Sequence, residues 1–121
     1  MHALIIEDQF LIATLIEDEL RELGYTSFRT VDRQSDAVEA ARLRCPDLIT
    51  ADDRLTEGSG IEAVRLICRG ASIPVVFIVG NPEGFVAPIA GAVLIGKPFG
   101  GTRLHQAVAE AVELHQLERL G

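Results

Sequence analysis

Two acidic pairs and one lysine are the residues of this chain whose types and spacing could do chemistry. Glu7-Asp8 follows the apolar run Ala3 to Ile6, Asp52-Asp53 follows Leu48 to Ala51, and Lys97 follows Ala92 to Ile95 with Gly96 between. Each run is short and, Thr50 apart, apolar, like a strand buried on both faces. If the three strands lie parallel, their C-terminal ends bring four carboxyl groups and one ammonium to a single sheet edge, where open α/β sheets hold ligands. Like charges about 4 Å apart repel by roughly 4 kcal/mol per pair at an effective dielectric near 20. Such a cluster must raise its carboxyl pKa values or hold a cation. Oxygen donors without histidine favour a hard ion, and a small set that leaves room for water and phosphate suits Mg²⁺ better than Ca²⁺. The lone lysine can neutralise an incoming phosphoryl group as a point charge.

The rest of the sequence supplies the elements that must position these groups. Ile12, Leu15, Ile16, Leu20 and Leu23 recur at helical spacing, and Gly24 stops that helix. Tyr25 to Val31 alternates as a strand. Ser35 is expected to cap a second helix that ends near Arg44, ahead of Pro46. Ser59-Gly60-Ile61-Glu62 reads as a capping box, with Ile61, Val64 and Ile67 on the inner face and Gly70 as the stop. Val75 to Val79 is the most apolar strand. The stretch from Gly80 to Gly91 contains Pro82, Gly84 and Pro88, so only a short or irregular fourth helix is expected there. Thr102 to about Leu120 is a closing helix with Leu104, Ala107, Val108, Ala111 and Leu114 inward. This alternation defines an α/β chain, a (βα)5 doubly wound five-stranded parallel sheet with helices on both faces.

Composition narrows the function. A chain of 121 residues, 48% hydrophobic and 24% charged, is expected to be one domain that buries its sheet unaided. The net charge of −7 argues against nucleic acid, which needs clustered Lys and Arg. No apolar run approaches the roughly 20 residues that span a bilayer, and the N-terminus lacks a basic signal-peptide region. Cys45 and Cys68 have no CxxC spacing and read as buried free thiols of a cytoplasmic protein. His2, His105 and His115 are not spaced as metal ligands and read as solvated surface, as does the charged run Glu17 to Glu22. Asp47 and Asp53 are expected to be loop-edge acids without chemistry.

The pair Glu7-Asp8 after Leu4-Ile5-Ile6, the stretch Pro46 to Asp52, the eight residues from Asp53 to Gly60 and the late Lys97-Pro98-Phe99 occur in a telling order. With these pieces at these spacings, the chain resembles a bacterial two-component response-regulator receiver domain over residues 1–121. The resemblance implies a flavodoxin-like sheet of order 2-1-3-4-5. It implies that Asp52 accepts a phosphoryl group from a sensor histidine kinase or a phosphotransfer protein. Asp8 and Asp52 would ligate Mg²⁺, Glu7 mainly through water, and Arg54 through its backbone carbonyl. Lys97 would contact the phosphoryl oxygens and orient Asp52, the Gly80 N–H would join it, and Lys97-Pro98 would be cis.

Gly60 lies eight residues beyond Asp52 and Pro46 six before it, as in the family, so the resemblance implies Asp52 rather than Asp53 as the acceptor. Strand alternation also argues that both cannot face one pocket. Two positions depart from the family: Val79 stands where Thr or Ser is usual, and Leu94 where Tyr or Phe is usual. The start Gly80-Asn81-Pro82-Glu83 is similar to that of single-domain receivers of alphaproteobacterial stress signalling. Output is then expected through a protein partner, a homodimer or phosphate drainage, with the largest change on activation in residues 80–91. No catalysis beyond the chain's own phosphorylation and dephosphorylation is implied. The alternatives are a pseudo-receiver that signals without phosphorylation and a small Mg²⁺-dependent phosphohydrolase. The second is disfavoured because Glu7 and Asp8 are adjacent rather than spaced as DxD.

Overall fold

The apolar runs become strands because each is sealed from both sides. In the computed structural model, which describes residues 1–120, the elements are β1 (His2–Ile6), α1 (Phe10–Glu22), β2 (Ser27–Val31), α2 (Gln34–Leu43) and β3 (Leu48–Ala51). They continue with α3 (Gly60–Ile67), β4 (Val75–Val79), β5 (Val93–Gly96) and α4 (Gly101–Leu120). The sheet has the order β2-β1-β3-β4-β5, and every pair is parallel. Ile6 lies opposite Ala51 and Val79 opposite Gly96, with β4 and β5 running two residues past the ends of β1 and β3 at the same edge. Helices α1 and α4 cover one face over Ile5, Ile16, Leu20, Ile78 and Leu104. Helices α2 and α3 cover the other over Leu4, Ile6, Ile49, Phe77 and Val64.

Several local expectations are corrected. No helix forms between β4 and β5; residues 80–92 run through bends and turns, so the closing helix is the fourth of the chain. Pro82, Gly84 and Pro88 interrupt any helical ladder there. Phe85 instead packs on Phe77, with ring centroids 5.3 Å apart. Ser35 is not a cap: α2 starts one residue earlier, and the Gln34 N–H donates to the carbonyl of Glu57 at 3.0 Å. Ser59 does cap α3, accepting from the N–H groups of Ile61 and Glu62. Glu62, however, pairs with Arg65 at 2.7 Å. Leu15 is exposed, since the buried stripe of α1 is Ala13, Ile16 and Leu20. His2 is buried, its Nδ1 2.8 Å from Ser27 Oγ, and its backbone N–H donates to Asp47 at 2.7 Å. Burial lowers its pKa.

Thr50 carries a testable flaw. Its hydroxyl is buried in β3 and has no hydrogen-bond partner among the described residues. Leaving such a group unpaired costs about 1–3 kcal/mol, while valine keeps the shape. Thr50→Val is therefore expected to stabilise the fold by about 1 kcal/mol, read as a higher urea midpoint at unchanged slope.

Candidate functional site

Strand ends fix the acidic groups through backbone contacts. The Glu7 N–H donates to the Val31 carbonyl at 2.9 Å, and the Asp52 N–H donates to the Ile6 carbonyl at 2.9 Å. The Lys97 N–H donates to the Val79 carbonyl at 2.8 Å, and the Lys97-Pro98 bond is cis. From that anchor the Lys97 ammonium reaches 3.0 Å from Asp52 Oδ2 and 3.0 Å from Glu7 Oε1. A cleft of about 440 Å³ opens beside them, lined by Asp8, Gln9, Asp52, Asp53, Arg54, Gly80, Asn81 and Lys97.

The residues singled out from sequence thus come together, with two qualifications. Val79 is fully buried in the core cluster under α2 and α3, to which Leu94 also belongs, so it fills space and does not line the cleft. Asp53 does line it, contrary to the expectation of an idle loop-edge acid. Alternation fails to turn it away because β3 ends at Ala51 and both aspartates lie beyond the strand. Gln9 and Asn81 carried no sequence signal except that each follows a site residue.

Burial and charge divide the carboxyl groups. Burial pushes Glu7 up to about 7, with the Asp52 charge adding and the Gln9 N–H and Lys97 opposing. Burial would also raise Asp52, but a hydrogen bond from Asp53 and the Lys97 ammonium outweigh it and hold Asp52 below the usual range. Asp53 is raised by burial and by its hydrogen bond with Asp52. Lys97 is held above its ordinary value because the two carboxylates outweigh its burial. The pocket therefore keeps an ionised Asp52 beside a charged lysine, with Glu7 near its midpoint at neutral pH.

A cation fits this set. Glu7, Asp8 and Asp52 each offer an oxygen within 4.8 Å of the others. Glu7 Oε1 is buried without a hydrogen bond of acceptable geometry, even at 3.0 Å from the ammonium. An oxygen-only donor set of this size suits Mg²⁺. Since the ion needs its ligands deprotonated, Mg²⁺ affinity is expected to fall about tenfold as pH drops from about 7.5 to 6. Calorimetric titration at the two pH values measures this. Metal-free stability should move the other way. Because the folded chain holds the Glu7 proton more tightly than the unfolded one, stability rises as pH falls from about 7 toward 4.5. Below that window, protonation of Asp52 removes stability.

Comparison with known proteins agrees with this geometry. Residues 3–109 match the response regulator receiver domain family, and the chain belongs to it. It is 34% identical over 120 residues to the phyllosphere-induced regulator PhyR of Methylorubrum extorquens, covering 96% of this chain and 45% of the relative. The anti-anti-sigma factor PhyR of Bartonella quintana superposes with a TM-score of 0.81 at 32% identity, over 98% of this chain and 50% of that one. The receiver domain of a Pseudomonas aeruginosa sensor histidine kinase, solved with a magnesium ion in its active-site cleft, gives 0.80 at 26% identity, over 93% and 97%. The chain spans about half the length of the curated relatives it matches first. Receiver domains of two-component systems typically bind Mg²⁺ in this cleft. No helix among the described residues is long and apolar enough to cross a membrane.

Proposed function

We propose that residues 1–121 form one receiver domain that accepts a phosphoryl group on Asp52 from a histidine kinase or a phosphotransfer protein. The observation that carries this reading is the Asp52 carboxylate held 3.0 Å from the Lys97 ammonium in the lining of an acidic cleft. Asp52 attacks the phosphorus of a phosphohistidine; the P–O bond forms, the P–N bond breaks, and its electron pair returns to the donor imidazole. Lys97 and the Gly80 N–H receive phosphoryl oxygens, and Val79 offers them no hydroxyl. Asp8, Asp52, Glu7 and the Arg54 carbonyl would hold Mg²⁺, which would supply the remaining charge neutralisation. Catalysis of this kind is positioning and electrostatics.

The PhyR resemblance points to a protein of the anti-sigma type as the downstream partner. The loop of residues 80–92, with no helix to melt, is the segment most readily reorganised on activation. The second reading is a pseudo-receiver, and Val79 is the observation in its favour. Intact-mass measurement after incubation with acetyl phosphate and Mg²⁺ separates the two. One phosphoryl group per chain supports the acceptor, and an unmodified mass supports the pseudo-receiver.

A further inference from the structure

We propose that Glu19, Glu22 and His105 form a second metal site, for a divalent transition ion of the zinc type, where α1 packs against α4. Glu19 and Glu22 stand three residues apart on one side of α1. His105 faces them from the start of α4. Its Nε2 lies 2.6 Å from Glu19 Oε2 and 3.6 Å from Glu22 Oε2. One ligand atom from each residue falls within 4.8 Å of the other two.

Three further features point to a cation rather than a plain ion pair. First, His105 Nε2 is shut off from solvent and, close as Glu19 is, makes no hydrogen bond of acceptable geometry. A buried polar atom without a hydrogen-bond partner calls for explanation. Second, among the described residues no lysine or arginine pairs with either glutamate. Arg21, their neighbour on α1, pairs with Glu17 at 3.0 Å and lies over the Phe28 ring. Third, Gly101 makes room for the Glu19 carboxylate, since a Cβ there would sit 2.6 Å from Oε1 and 2.7 Å from Oε2.

The donor set selects the ion. One imidazole with two carboxylates suits zinc and its neighbours, whereas the all-oxygen cleft at Asp52 suits Mg²⁺. In a tetrahedral zinc site with bonds of about 2.0–2.1 Å, ligand atoms lie about 3.3 Å apart. The 3.6 Å separation to Glu22 is already close to that, and Glu19 need retreat by less than about 1 Å. The fourth position is left to water. Because α1 and α4 supply the ligands, the ion would fasten two helices that are far apart in sequence.

The test is a Zn²⁺ titration of the full chain in excess Mg²⁺, which occupies the acidic cleft, followed by ¹⁵N–¹H correlation of the imidazole rings. The expected result is a large change at the His105 Nε2 signal with His2 and His115 little affected. Zinc affinity should drop at least tenfold in both His105→Ala and Glu22→Gln. Glu22 is exposed, so its variant keeps the test valid should His105→Ala unfold. An unmoved His105 signal, or the same zinc affinity in a folded variant as in the parent, would leave only a histidine–carboxylate ion pair and overturn the site.

Discussion

Asp52→Asn is expected to leave no phosphoryl adduct after incubation with acetyl phosphate and Mg²⁺, whereas Asp53→Asn still takes up one. Both aspartates border the same cleft, so placement alone does not choose between them. Their partners do. Asp52 pairs with the Lys97 ammonium at 3.0 Å, and its pKa is held below the usual carboxylate range. Asp53 is shifted toward its neutral form by burial and by Asp52. An amide at position 52 has no carboxylate to attack with, and it cannot form the acyl phosphate. A loss of at least ~10³ in rate, about 4 kcal/mol of barrier, is the smallest effect consistent with direct attack by Asp52. Asparagine at 53 can still donate a hydrogen bond to Asp52 and should change the rate modestly. An adduct on Asp53, or one persisting in Asp52→Asn, would overturn the assignment.

How much of this was legible in the sequence depends on the kind of contact. β3 and β4 could be read to the residue because Val75 to Val79 is apolar without interruption, Leu48 to Ala51 is broken only by the β-former Thr50, and burial on both faces leaves no competing pattern. Glu7, Asp8, Asp52 and Lys97 could be placed together because parallel strands must end at one edge. What failed depended on distances between elements. The burial of His2 comes from the loop carrying Asp47 and from Ser27 across the sheet, neither of which is near it in sequence. Ser35 was a reasonable cap by type, but the chain entering α2 is tied to Glu57 and starts its helix at Gln34. Leu15 fitted a helical stripe, yet α1 presents that side to solvent. The approach of His105 to Glu19 and Glu22 requires knowing how α1 meets α4, which periodicity does not encode. The departure at Val79 was visible as a missing hydroxyl, but not as a place in the same core cluster as Leu94.

Gly60 served in the sequence as a register mark for Asp52 and as part of the α3 capping box, and the structure turns it into the second large effect expected. A Cβ built on Gly60 would lie 1.7 Å from the carbonyl oxygen of Asp52 and 2.9 Å from its carbonyl carbon. Both are backbone atoms, so no side chain can swing away to make space. The Asp52 peptide would have to retreat by more than an ångström to reach ordinary contact, about 3.4 Å or more. That retreat pulls against the Asp52 N–H bond to Ile6 at 2.9 Å, the tie that sets the acceptor level with Glu7. The other escape is to push out the start of α3, which would disturb the Ser59 cap. Forced overpacking alone costs about 1–3 kcal/mol, and loss of a backbone tie or a helix cap adds to it. Gly60→Ala is therefore expected to lower stability by at least about 3 kcal/mol. If the variant folds, it should lose Mg²⁺ affinity along with stability, because the displaced peptide leads directly to the Arg54 carbonyl. Gly70→Ala is the control: nothing lies within 4 Å of its Cβ position, and it should cost little. Urea unfolding of the two variants, with Mg²⁺ titration of whichever fold, measures both effects. Equal stability in Gly60→Ala and Gly70→Ala would show that the acceptor peptide does not depend on the missing side chain.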